Sequence, residues 1–450
     1  MSSSKPQKLP RIRKLGLMEK FHVARCVLGL DPSVVGSARY TAEDGTKLTP
    51  RTLYPALRAL IERNTPLGIR LEGDEPKAKV HWVRLPRVDL SRIVEFSSDP
   101  KAPDLERVLG AQLARGFATQ TDLPLWRIQV FADNTVVFAF HHAIADGMSA
   151  MAFHVQLLRA LQQGHAEDDA AVVEVPQTLA MIPCVDDTMN IRPTMSLFLH
   201  ELRNLVVPPS SKHWTGNPVL KVPDATTRVR ITSLSSENTH KLLAACRAHQ
   251  ATLTGTLHGL LGCVVSQLLA QTQAQPQPKF KIIPTVLAVS MRPNANIPIP
   301  DDELCDYPSI FHSSVPVRAD FAWDEAARTT QLLKQQKVKS KDLIGMLGLL
   351  FGQYKMFFED KYGKKREAGI LLSNLGRWTA PKAVEGKWRL DKMVFAQCDV
   401  VVGAPFSCNV VGEPNGAVNL AFAWGNGIED EFMEKLVPLF EAEVAKLIQS

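Results

Sequence analysis

Residues 135–140 (Thr-Val-Val-Phe-Ala-Phe) form an apolar, β-favouring run that drives into a polar cluster, His141-His142-Ala143-Ile144-Ala145-Asp146-Gly147-Met148-Ser149. Beyond it Met148, Met151, Val155, Leu157, Leu158 and Leu161 recur at three-to-four-residue spacing, which predicts a helix opening at Gly147. Residues 124–131 alternate apolar and polar, and Ala132-Asp133-Asn134 supplies a turn, so a hairpin delivers the histidines to a strand end. Helical spacing recurs over residues 15–28, 49–63, 104–115, 196–207, 236–249, 253–269, 323–340, 341–362 and 429–449. Strand patterns fall at 67–71, 80–83, 227–234, 280–289, 369–377, 400–411 and 418–424, the last two as a hairpin around Glu413-Pro414-Asn415-Gly416. Interleaved strands and helices make an α/β protein. Residues 1–10 read as a leader without packing signals, and the proline-punctuated stretch after Val207 as a linker. The expected division is therefore 1–206, a crossover over 207–223, and 224–450.

Strand ends are where α/β proteins usually place their chemistry. An imidazole there titrates near neutrality, so it is suited to taking a proton from an alcohol, amine or thiol and returning it later. A carboxylate four residues on serves by holding the loop, and a glycine lets a substrate approach closely. The competing reading of the same residues is structural: a polar strand cap followed by an aspartate N-cap.

Composition narrows the choices. With 450 residues the chain suggests two cores of roughly 200 residues each. A net charge of +6 without a lysine- and arginine-rich stripe argues against nucleic acid, while leaving a surface that attracts anionic ligands. Seven scattered cysteines (26, 184, 246, 263, 305, 398 and 408) form no C-x-x-C, so reduced thiols and a cytoplasmic setting are expected, and no metal-ligand spacing stands out. No secretory h-region opens the chain, and no uninterrupted apolar run reaches bilayer length. The nearest, residues 344–351, leaves peripheral contact with a membrane or lipid-droplet surface open.

The complete pattern, His141-His142-x-x-x-Asp146-Gly147-x-Ser149, resembles the signature of the condensation-domain and chloramphenicol-acetyltransferase-like acyltransferase superfamily, nearest to its fungal alcohol acetyltransferase-like branch. The resemblance spans nearly the whole chain. It implies two chloramphenicol-acetyltransferase-like halves, each a mixed sheet with helices, and an active-site tunnel at their interface. It implies His142 as general base, His141 and Asp146 as its loop partners, and Gly147 as room for the acyl chain. Arg292, in the Ser290-Met291-Arg292-Pro293 that the strand 280–289 delivers, is the expected ion-pair partner of Asp146. Ser373-Asn374-Leu375-Gly376 resembles a second signature and would put Ser373 and Asn374 near the thioester or its oxyanion. Phe422-Ala423-Trp424-Gly425 matches a third in part, with Trp424 and Gly425 as structural residues and Ala421 and Ala423 as departures. The segment 16–21 resembles one that lies over the cleft. The function implied by the resemblance is ester formation on a hydrophobic alcohol, with acyl-CoA, acetyl-CoA above all, as co-substrate, no bound cofactor and no metal, by a monomer. Three alternatives stand beside it: a condensation-type enzyme using carrier-bound acyl groups, a binding protein that kept the fold, and a hydrolase. The acceptor alcohol is not legible.

Overall fold

The computed structural model describes residues 9–73, 80–206, 209–272, 279–378, 388–398 and 401–449. Most of the leader expected over residues 1–10, and residues 207–208 of the expected linker, lie outside the described residues.

Two sheets organise the molecule. In one, five strands run in the order Trp388–Gln397, Val34–Ala42, Thr135–Phe140, Trp126–Val130, Val94–Phe96. In the other, six run in the order Arg228–Leu234, Val418–Trp424, Phe406–Gly412, Ile370–Arg377, Ile282–Ser290, Pro308–Pro316. Both are mixed: Val94–Phe96 lies parallel to Trp126–Val130, and Ile370–Arg377 lies parallel to both of its neighbours. The architecture is thus the mixed α/β one expected.

The histidine strand is buried along its whole length because both of its faces are covered. Val136, Phe138 and Phe140 join the core under helices Pro50–Arg63 and Gly147–Gln163, where Phe138 stacks on Phe153 with ring centroids 3.8 Å apart. Val137 and Ala139 face the other way, into a small core shared with Val394, Ala396, Val229, Ala421 and Ala423. That core draws on both sheets and joins the halves. Its alanines explain the departures noted at 421 and 423: small side chains let two sheets approach closely.

Three features differ from expectation. The strand Trp388–Gln397 comes from the carboxyl-terminal half of the chain yet pairs antiparallel with Val34–Ala42 of the amino-terminal sheet. A bulge between Asp391 and Met393, with Lys392 at φ 55°, breaks its two-residue period and hid it from pattern reading. The single helix expected over residues 341–362 is broken into Lys341–Met346, a 3₁₀ turn Leu347–Leu350 and Tyr354–Glu359, because Phe351 and Gly352 both take positive φ. Finally, no apolar run was expected to reach bilayer length, yet among the described residues the helix Leu253–Gln271 is long and apolar enough to do so; it is 72% buried as the core helix against the six-stranded sheet.

Candidate active site

His141 ends the strand in extended conformation, and its N–H donates to the Leu125 carbonyl at 2.9 Å. The chain then makes one 3₁₀ turn, His142–Ile144, and Asp146 caps the helix Gly147–Gln163. The two histidines therefore point apart. His141 is fully buried, its Nδ1 accepts the Ala143 N–H at 3.0 Å, and burial pushes its pKa down to about 4, so it is a neutral loop brace. His142 keeps 10% of its side chain exposed, while its Nδ1 is sealed from solvent.

The motif aspartate works on the backbone. Asp146 Oδ1 accepts from the Ser149 N–H and hydroxyl, both at 2.9 Å, and from Arg292 Nη2 at 2.7 Å. Arg292 reaches across from the strand end Ile282–Ser290 and also donates to the carbonyls of Asp301 and Glu303, at 3.0 and 3.1 Å. Burial disfavours its charge, but Asp146 more than offsets this, and the guanidinium pKa is raised. The same aspartate pins a second segment. The Tyr307 N–H reaches Asp146 Oδ2 at 3.3 Å, the Cys305 N–H reaches Ser149 Oγ at 3.1 Å, and the Asp146 N–H reaches the Cys305 carbonyl at 3.1 Å.

Between those two anchored residues stands Asp306, and its Oδ1 lies 3.5 Å from His142 Nδ1 and 3.6 Å from His22 Nε2. His22, on helix Leu17–Val27, stacks flat on His142 with centroids 3.7 Å apart and planes 6° from parallel. Burial raises the Asp306 pKa to about 7. Burial also opposes a charge on His142, but the Asp306 carboxylate outweighs it and holds that imidazole above its ordinary 6.5. His22 goes the other way, well below 6.5, through burial and the neighbouring His142. Behind it, Asp31 is held low: burial works against its charge, and Arg25 at 2.9 Å prevails.

The remaining predicted residues lie around this centre. The space beside Gly147 is filled: a Cβ there would come within 2.8 Å of the Phe395 ring and 3.0 Å of Leu375. The glycine thus admits two protein side chains, not the acyl chain expected at that spot. The contact brings the Ser373-Asn374-Leu375-Gly376 turn up to the histidine motif. Ser373 is buried on the strand Ile370–Arg377; Asn374 donates to Thr254 Oγ1 at 3.1 Å and accepts from the Gly376 N–H at 2.9 Å. Trp424 donates to Asp430 at 2.7 Å, and Gly425 directly follows it, buried; both serve the six-stranded sheet.

A profile of the alcohol acetyltransferase family matches residues 320–444. The probable alcohol acetyltransferase FCK4 of Fusarium pseudograminearum is 24% identical, the match covering 93% of this chain and 91% of that one. This chain is alcohol acetyltransferase-like. It is similar in fold to the trichothecene 15-O-acetyltransferase TRI3 of Fusarium sporotrichioides (TM-score 0.72, 13% identity, 100% and 97% of the two chains covered). The condensation domain of the monacolin K polyketide synthase MokA also shares it (TM-score 0.63, 11% identity, 99% of each chain). The chain is thus similar to alcohol acetyltransferases and shares the condensation-domain fold.

Its pattern of histidines left Asp306 and His22 unread. Each carried a faint signal: Asp306 interrupts the otherwise apolar-leaning Leu304-Cys305-Asp306-Tyr307, and His22 lies on the buried face of its helix with Met18 and Val23. The segment 16–21, expected over the cleft, begins this helix, which carries the stacked imidazole. A groove of about 1560 Å³ between Thr285, Phe311, Leu197, Phe357 and Lys365 does not count the histidine cluster among its walls.

Proposed function

We propose that this protein transfers an acyl group, acetyl above all, from a coenzyme A thioester to the hydroxyl of a hydrophobic alcohol, with His142 as general base. The observation that carries the reading is the disposition of the His142 ring: Nδ1 is sealed against Asp306, so the ring's exposed edge is turned away from it, on a loop pinned by the buried Arg292–Asp146 pair. A neutral imidazole with its proton on Nδ1 presents a basic Nε2 lone pair.

In the proposed reaction Nε2 takes the hydroxyl proton as the alcohol oxygen bonds to the thioester carbonyl carbon. The carbonyl oxygen becomes an oxyanion, for which the second amide hydrogen of Asn374, with Ser373, is the proposed donor set. Collapse breaks the carbon–sulfur bond, and the imidazolium returns its proton to the departing thiolate. The products are an ester and free coenzyme A, with no covalent enzyme intermediate and no metal step. Asp146 and Arg292 hold the loop and carry no proton. What supports the chemistry is the acetyltransferase character of the relatives together with a buried histidine whose Nδ1 faces Asp306; what supports the alcohol is the family likeness alone.

Thiol release from acetyl-CoA by the purified protein, measured across a panel of hydrophobic alcohols, tests this reading. Alcohol-dependent release that drops at least 10²-fold in a folded His142→Ala variant is expected, the loss typical of removing a general base. A folded His142→Ala protein with an undiminished rate would sink it. Release only from a carrier-bound thioester would favour the condensation-type donor, and release without alcohol a hydrolase.

A further inference from the structure

We propose that Asp306, which lies outside the histidine motif, is the positioning residue that fixes the tautomer and orientation of His142, with His22 as the plate against which the ring is held. The inference rests on the acyl-transfer reading above. In that signature the acid most readily paired with the histidine is Asp146, four residues on. The geometry points elsewhere, because both Asp146 oxygens are taken by Arg292, Ser149 and the Tyr307 N–H. Asp306, in contrast, has only 1% of its side chain exposed, and neither of its oxygens has a hydrogen-bond donor among the described residues. A carboxylate so placed is costly unless an N–H donor or a cation faces it. The groups that face it are His142 and His22, with Glu19 and Asp146 further off and repelling added negative charge.

Of the two imidazoles, His22 is the less suited to serve as that partner. It stacks on His142, and although Asp31 Oδ2 lies 3.8 Å from its Nδ1, that carboxylate is already matched by Arg25 at 2.9 Å; burial and His142 hold the His22 pKa down. Two parallel imidazoles 3.7 Å apart will not both be charged. One proton is therefore left for the His142–Asp306 pair, carried on the Nδ1 side, which keeps Nε2 free for the acceptor hydroxyl. The separation of 3.5 Å is longer than a hydrogen bond, as resting catalytic contacts often are. The same three side chains lie within 4.8 Å of one another, a spacing compatible with an ion. The parallel stack, however, sends the two nitrogen lone pairs into separate planes instead of to one point, and so favours a shared proton.

The carboxylate's location is itself a product of the motif. Asp146 and Ser149 bind the backbone of Cys305 and Tyr307, so the residue between them is delivered to His142 at a fixed place. The motif aspartate would then act on the base through a second aspartate on another element.

The test compares wild type, Asp306→Asn, Asp306→Glu and His142→Ala in acetyl-CoA turnover, using the alcohol that gives the fastest thiol release. Asp306→Asn removes a buried charge and keeps the shape. Its expected kcat is lower by roughly 10- to 100-fold. KM for acetyl-CoA and for the alcohol should stay within about 2-fold, and the acidic limb of the pH profile should move to lower pH; Asp306→Glu should recover part of the rate. The limb moves down because the carboxylate is what holds the imidazole pKa up. An Asp306→Asn enzyme with wild-type kcat and an unmoved limb overturns the proposal, as does a rate loss with an unmoved limb, which marks Asp306 as merely structural. If His142→Ala is fully active, the acyl-transfer reading itself fails; if only the Asp306 variants are unaffected, this inference alone fails. Should Asp306→Asn not fold, the carbon NMR titration of the His142 ring in wild type decides. Titration above 6.5 supports the pair, and titration below it overturns it.

Discussion

The Arg292 guanidinium presents 1% of its side chain to solvent and meets the Asp146 carboxylate at 2.7 Å. Truncating the acid leaves that cation buried and uncompensated, which typically costs about 3–5 kcal/mol. Asp146→Ala should therefore unfold at markedly lower urea than wild type, and its turnover should fall as well, because the Tyr307 N–H beside Asp306 loses its acceptor and Ser149, which accepts the Cys305 N–H, loses the carboxylate that holds its hydroxyl. Asp146→Asn keeps the acceptor oxygen and should lose less stability than the alanine variant. Paired urea curves and rates for the two variants check this, and an Asp146→Ala protein with a wild-type urea midpoint would show that the buried pair holds nothing. At this scale the sequence was legible only as far as its local spacing reached. His141, His142, Asp146 and Gly147 share one turn, and Arg292 was placed by likeness. Asp306 and His22 meet His142 only through tertiary packing, from distant parts of the chain, and no periodicity reports that.

Among the elements, those with an intact period were readable and those with a broken one were not. The helices Pro50–Arg63 and Gly147–Gln163 kept their apolar spacing, and the histidine hairpin kept its turn. The strand Trp388–Gln397 lost its alternation at the Lys392 bulge, and with it went the strand that ties the carboxyl-terminal half to the amino-terminal sheet. The crossing it makes depends on small side chains. Ala421 and Ala423 are each about 1% exposed and share a core with Val35, Val137, Ala139, Val394 and Ala396 from the opposing sheet. Enlarging one of them has nowhere to go but into that sheet. Ala423→Leu should cost about 1–3 kcal/mol, the usual penalty for overpacking. A conventional exposed substitution such as Lys435→Ala should stay within about 0.5 kcal/mol. Thermal melts of both variants decide it, and an Ala423→Leu melt indistinguishable from wild type would mean the sheets are not held at that distance.

Over the whole molecule, buried histidines set the response to acid. His141 and His154 are pushed down by burial to about 4 and His258 to about 3, and His22 lies well below 6.5. The unfolded chain binds protons at these positions below about pH 6.5, and the folded chain does not until much lower. Each therefore contributes stability that is present above pH 6.5 and is lost as pH falls, by roughly 1.4 kcal/mol per pH unit while the two states differ by one proton. Asp306 acts oppositely. Its folded pKa is raised to about 7, so the Asp306–His142 pair keeps a proton that the unfolded carboxyl releases above about 4, and this contribution falls as pH rises through that window. His142, raised above 6.5, has the same sign at higher pH: its contribution is complete below 6.5 and is lost as pH rises through its folded pKa. Five depressed imidazoles, His213 the fifth, outnumber three raised carboxyls, Asp186, Asp306 and Asp342, so urea midpoints should drop steeply from pH 6.5 to pH 5. His258 gives the cleanest test because it lies outside the site, with Nε2 2.8 Å from Thr285 Oγ1 and Nδ1 3.1 Å from Thr329 Oγ1. In His258→Asn the neutral amide cannot gain a proton in either state, and the pH slope of stability should shrink by about one proton even though the variant is less stable throughout. An unchanged slope would mean that His258 is protonated alike in the folded and unfolded chain, and that its burial between two threonines does not exclude the charge.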